Sequence, residues 1–218
     1  VTAVGSVLPG TLQVWSDVAC PWAALAVVRL RAARERLGLE LDVRVDHRAF
    51  PLELANGRPV PPLADEAVEV LAREPAFGTR PWSGEHGDWP GSFLDALAAV
   101  QAAKEERAGG LPASEALDWA LRRALFAQSR PIGTPGEVLA VAREVPELDV
   151  DALEGQLDAG RDAVRRDWEL TGELRIEGSP HVRLSDGSAV FNPGIGDDGS
   201  DDPGVWDELL RRALAPEG

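Results

Sequence analysis

Cys20 is the only cysteine in 218 residues, so whatever chemistry it has is that of a single thiol. It stands at a junction. The stretch Thr11 to Ser16 alternates polar and apolar residues like a strand, Asp17-Val18-Ala19 follows, and a helical run opens at Pro21. A thiol at a helix N-terminus faces unpaired backbone N–H groups and the positive end of the helix dipole, which favours the thiolate. The blander role of a buried, inert cysteine fits an apolar stripe better than this loop end beside Asp17, Pro21 and Trp22. Ser179-Pro180 precedes a strand near the other end of the chain. It reads either as a simple turn or as a cis-proline whose neighbouring backbone pairs with an extended thiol substrate. His181 comes next, placed to act on Cys20 as a base or hydrogen-bond donor, or to sit satisfied on its strand.

Other candidates carry less. His47 lies between Asp46 and Arg48 on a strand and has the plainer prospect. Glu85-His86-Gly87-Asp88 has metal-ligand residue types but no partner cluster, and no metal is expected. Asp197, Asp198, Asp201 and Asp202 do not have EF-hand spacing and read as a solvated loop with a helix cap. Trp22, Trp82 and Trp89 either line an apolar cleft or pack between a helical segment and the sheet.

The elements that must position these residues follow from periodicity. PWAALAVVRLRAARERLG runs helically from Pro21 to Gly38, with proline at the start, arginines late and glycine at the end. Leu39 to Phe50 returns to period two, with Leu41, Val43 and Val45 on one face, giving β-α-β with a parallel pair. Pro51 to Pro62 reads as a loop. Helices are expected over Leu63–Arg73, Ser92–Arg107, Ala113–Gln128, from a capped start at Thr134-Pro135-Gly136-Glu137, and over Val150–Ala159 and Arg161–Leu174. Strands His181–Leu184 and Ser188–Phe191 flank an Asp186-Gly187 hairpin turn, and a last helix runs to Leu214. The expected architecture is an α/β thioredoxin-like fold with a central mixed sheet. Residues 11–62 and 161–218 would form its two halves, with a helical subdomain, 63–160, inserted between βαβ and ββα.

Composition narrows the partners. The 37 acidic residues outnumber the 22 basic ones, for a net charge of −15. That balance opposes phosphate backbones and anionic membranes, and no basic run exceeds Arg165-Arg166 or Arg211-Arg212. One cysteine excludes disulfide scaffolds and paired-cysteine zinc sites. The apolar run Ala23 to Val28 is too short to span a bilayer, and Val1 to Gly10 lacks a signal-peptide pattern; a cytoplasmic location is expected.

At Cys20-Pro21-Trp22-Ala23 and Gly178-Ser179-Pro180 the chain resembles the DsbA-like branch of the thioredoxin superfamily. It is most similar to the FrnE-like disulfide oxidoreductases and the related 2-hydroxychromene-2-carboxylate isomerases. Trp15-Ser16-Asp17, Phe50-Pro51-Leu52-Glu53-Leu54, Ala124-Leu125-Phe126 and the approach Val164 to Pro180 extend the likeness over most of the chain. The resemblance implies Cys20 as attacking cysteine, Pro180 as the cis-proline opposite it, and the insert as a lid. With it come His181 as a catalytic candidate and Pro21, Trp22, Ser179, Trp82 and Trp89 as substrate-binding candidates. It also implies a thiol or disulfide substrate, no tightly bound cofactor, glutathione or another low-molecular-weight thiol as co-substrate, and a homodimer.

One departure matters. The oxidoreductases carry a second cysteine three residues after the first, where this chain has Ala23. An attacking thiolate can still form a mixed disulfide but cannot resolve it internally. The expectation is a monothiol oxidoreductase or isomerase. The alternatives are a small-thiol-dependent isomerase or transferase, with Ser16 nearby, and a non-catalytic binding protein on the same scaffold.

Overall fold

The computed structural model describes residues 6–196 and 198–215, which leaves Asp197 and the side chain of His86 outside the described residues. Four strands form one mixed sheet in the order β2-β1-β3-β4: β1 (Thr11–Ser16), β2 (Arg44–Ala49), β3 (His181–Arg183) and β4 (Ala189–Phe191). β1 pairs parallel with β2 and antiparallel with β3, and β3 with β4 antiparallel. Helix α1 (Pro21–Leu37) makes the crossover between the parallel pair; Gly38, at φ +66°, closes it in the left-handed conformation that glycine adopts without steric cost.

The sheet has two different faces because side chains alternate along each strand. Leu12, Val14 and Val45 meet Ala26 and Leu30 of α1 and Trp206 and Leu210 of α9 (Val205–Ala213). On the opposite face Trp15 packs with Phe50 and Ile176. The edge of β2 is covered rather than left as an open ladder. The His47 carbonyl accepts hydrogen bonds from Gln101 Nε2 (2.9 Å) and Lys104 Nζ, and the Ala49 N–H donates to Asp167 Oδ2 (2.9 Å).

Between β2 and β3 the chain is helical: α2 (Leu52–Asn56), α3 (Ala64–Leu71), α4 (Leu94–Ala102), α5 (Gly110–Gln128), α6 (Pro135–Ala142), α7 (Val150–Gly155) and α8 (Leu157–Leu170). Their apolar faces join the largest core cluster, which also takes in Ala24, Leu25 and Val28 of α1. α8 lies tightly on α4. A Cβ at Gly160 would come within 2.2 Å of the Ala98 carbonyl oxygen, so only glycine permits that approach.

The structure corrects several expected boundaries. The second strand begins at Arg44, not Leu39; Leu39–Val43 is a turn closed by Val43 N–H to Leu39 O (2.9 Å), and Leu41 is 95 % exposed instead of sharing a face with Val43 and Val45. The Pro51–Pro62 loop contains α2, started after Pro51 and stopped by Gly57 at φ +62°. The 160/161 boundary between insert and second half falls inside α8. As expected, Thr134 Oγ1 accepts from the Glu137 N–H to start α6, and Ser179-Pro180 is cis.

Candidate active site

Cys20 is the N-cap of α1, 5 % exposed, and its S–H donates to the Ser179 carbonyl at 3.1 Å, immediately before cis Pro180. The thiol is therefore clamped between the two elements that the sequence singled out. The turn holding it is built around Asp17, 1 % exposed. Asp17 Oδ1 accepts from the Ala19 N–H and Oδ2 from the Leu52 N–H, both at 2.8 Å. The Asp17 N–H donates to Ser179 Oγ (3.0 Å), and its carbonyl accepts from the Cys20 N–H (3.2 Å).

Beneath this turn lies a group that the sequence did not reveal. Arg122 of α5 is fully buried and donates to both Asp118 carboxylate oxygens (2.8 and 3.0 Å), to Ser16 Oγ (2.8 Å) and to the Asp17 carbonyl (3.0 Å). His47 Nε2 lies 3.7 Å from Asp118 Oδ2, and burial lowers the His47 pKa, keeping the imidazole neutral. Asp118 and Arg122 have the i, i+4 spacing of an ordinary surface pair; only the packing of α5 on β2 buries them. Ser16, the candidate hydroxyl beside the thiol, is thus engaged by Arg122.

The electrostatics overturn one expectation. Helix-start placement predicts a stabilised thiolate, but burial pushes the Cys20 thiol up from its ordinary value, and the Asp17 charge adds to the rise. The hydrogen bond with Ser179, the Ala23 N–H at the start of α1 and the Arg122 guanidinium pull the other way and do not prevail. Burial also lifts Asp17 to about 6, against the pull of its two backbone N–H bonds and Arg122.

Cys20 opens onto a cleft of about 230 Å³ lined by Pro21, Trp22, Leu52, Val60 and Leu63, with Arg58 and Glu66 as charged groups. Trp22 is oriented by its indole N–H, which donates to Glu66 Oε1 at 2.9 Å, and by Arg73 stacked 5.4 Å above the ring. The other candidates separate from this cleft. Trp82 and Trp89 line a neighbouring pocket. His181 is buried, its Nδ1 accepts from the Glu177 N–H (3.2 Å), and it holds the loop leading to Ser179. Glu85 and Asp88 cap each other's backbone around a 3-10 turn, Asp201 pairs with Arg29, and among the described residues no three His, Cys, Asp or Glu converge as metal ligands. Among those residues, no helix is long and apolar enough to cross a membrane.

With the thiol, the cis-proline and the helical cover in place, comparison with known proteins decides the family. Residues 11–197 match the DSBA-like thioredoxin domain. The chain belongs to the DsbA-like thioredoxin family. Among solved structures, this DsbA-like chain is similar to a protein described as a probable DsbA oxidoreductase from Streptomyces coelicolor. The two are 25 % identical, with a TM-score of 0.66 and 95 % of this chain and 92 % of that one covered. The cytosolic disulfide reductase DsbM from Pseudomonas aeruginosa, solved with GSH, shares the fold at 19 % identity and a TM-score of 0.67, covering 94 % of this chain and 98 % of its own. A 2-hydroxychromene-2-carboxylate isomerase does so at 16 % identity and 0.55, with 83 % and 88 % covered. No curated protein matches the sequence.

Proposed function

We propose that this DsbA-like protein exchanges disulfides as a monothiol through Cys20, with a low-molecular-weight thiol such as glutathione as its partner. The observation that carries this reading is a single thiol held at Ser179, opening onto a small charged cleft, with Ala23 one turn further along α1. At about 230 Å³ the cleft is below the roughly 300 Å³ at which pockets for drug-sized ligands begin. It takes the sulfur end of a small molecule. Arg58 and Glu66, which bring opposite charges to the cleft, suit a thiol bearing both carboxylate and ammonium groups.

The exchange balances without an outside oxidant. Cys20 loses its proton to solvent, its sulfur attacks a small disulfide RSSR′, the Cys20–SR bond forms as the S–S bond breaks, and R′S⁻ leaves and is protonated. A second small thiolate then attacks the adduct, regenerating Cys20 and releasing a disulfide. A raised thiol pKa shapes both steps. Each unit above ambient pH costs about tenfold in thiolate fraction but returns about threefold in nucleophilicity, since the Brønsted slope is roughly 0.4–0.5. As a leaving group, a high-pKa sulfur departs slowly, so the mixed disulfide on Cys20 is favoured. The two steps together exchange one small disulfide for another with no net oxidation or reduction. Such exchange accords with a cytoplasmic setting, and a related structure is that of a disulfide reductase described as cytosolic.

The burial of Cys20 favours a second reading, a binding protein whose thiol does not turn over. Incubation with glutathione disulfide followed by intact-mass measurement separates the two. Monothiol exchange gives one glutathione adduct per chain, removed by reduced glutathione and absent from Cys20→Ser. A wild-type chain that stays unmodified establishes the binding protein instead.

A further inference from the structure

Trp82 and Trp89 meet each other rather than the thiol. Their ring centroids lie 5.1 Å apart with the planes at 71°, and with Pro62, Pro81, Gly84 and Asp65 they line a pocket of about 130 Å³. The segment 61–66 divides this pocket from the Cys20 cleft: Pro62 and Asp65 face the tryptophans, while Leu63 and Glu66 line the cleft.

Several features make this pocket a site and not a gap. Two rings meeting edge to face leave an inside corner, where an occupant lies against the negative π surface of both. The rings are held in place. Trp89 is 8 % exposed and packs on Phe93 at 6.0 Å, and a Cβ at Gly84 would fall 2.6 Å from Trp82 Nε1, so glycine is what allows the backbone to close on that indole.

Charge and size then choose the occupant. Among the described residues, the only charged one lining the pocket is Asp65, and no basic residue lines it. A cation is favoured by both the rings and the carboxylate. A primary ammonium carries three N–H donors, and among the described residues Asp65 is the only side-chain acceptor lining the pocket to meet them. A methylated ammonium has no such demand and presents methyl groups to the rings. The volume, far above the roughly 10–15 Å³ that admits one water and below that of a drug-sized pocket, suits a head-group. We infer that the Trp82–Trp89 pocket binds a quaternary ammonium group.

The test is calorimetric titration of the full chain with choline and with 3,3-dimethylbutan-1-ol, its uncharged isostere. Choline should bind saturably and at least tenfold more tightly than the alcohol. Trp82→Phe, which keeps a π face, should retain binding within a few-fold; Trp82→Leu should lose tenfold or more. Asp65→Asn, at an exposed position that does not threaten folding, should weaken choline severalfold and leave the alcohol unchanged. Absence of saturable choline binding, equal affinity for the alcohol, or an Asp65→Asn protein that binds choline as wild type does would overturn the proposal.

Discussion

Asp17 and Asp118 occupy two sides of one buried guanidinium, in the thiol turn and in the helical insert, and they titrate in opposite directions. Burial pushes both carboxyls up. At Asp118 the paired bonds from Arg122 outweigh that push and hold the pKa below the ordinary value. At Asp17 only two backbone N–H groups bind the carboxylate, while Arg122 reaches its carbonyl instead, and the pKa rises to about 6. Equal burial therefore does not mean equal chemistry. The insert holds the firmly ionised member of the pair, and the thiol turn holds the one that titrates near neutrality.

Removing the shared guanidinium breaks the comparison at its centre. Arg122→Met should cost about 3–5 kcal/mol in urea unfolding, the usual penalty for stranding one member of a buried ion pair. Adding Asp118→Asn should recover part of that loss, because the stranded charge goes with it. A single variant as stable as wild type would mean that Arg122 does not hold the insert to the thiol turn.

The pH dependence of stability separates the two carboxyls. For Asp17 the folded pKa lies above the unfolded one, so its contribution is fully present below the ordinary carboxyl value of 3.8 and is lost as pH rises through about 6. The loss amounts to about 3 kcal/mol, at 1.36 kcal/mol per unit. For Asp118 the sign reverses: its contribution is present above 3.8 and is lost as pH falls further through its lowered pKa. Urea midpoints of Asp17→Asn should show a flatter slope than wild type from pH 4 to 6.5, and an unchanged slope would count against the Asp17 assignment. The same variant removes a like charge beside Cys20. Its thiol pKa should fall, with severalfold faster alkylation at neutral pH.

Arg58→Gln should have the smallest effect. It should raise the KM for glutathione disulfide severalfold while leaving alkylation of Cys20 by an uncharged reagent unchanged. A matching loss with both would place Arg58 in the fold and not in recognition.

The sequence was most informative where local rules decide. β1, α1, the hairpin turn and the Thr134 cap follow from periodicity and end signals, and Cys20 and Ser179-Pro180 stand where those elements place them. It was misleading where one local rule overrode another. The apolar alternation at Leu41 continues into a turn already started by Gly38, and Pro51 and Gly57 bracket the short helix α2 with residues that also mark loops. Thiol acidity was predicted from the helix N-terminus alone, yet burial, a product of residues distant in sequence, sets its direction. Asp118 and Arg122 look like a solvent-exposed pair until α5 is packed on β2, and nothing in their spacing announces that contact.

The rate of Cys20 alkylation by iodoacetamide as a function of pH, with Cys20→Ser as the blank, tests the central claim most directly. A buried thiol held at Ser179 beside an ionised Asp17 predicts one midpoint above the ordinary thiol value of about 8.5, moving down in Asp17→Asn. A midpoint at or below neutral pH would contradict it, showing that the helix N-terminus and Arg122 outweigh burial and that the resting group is a thiolate.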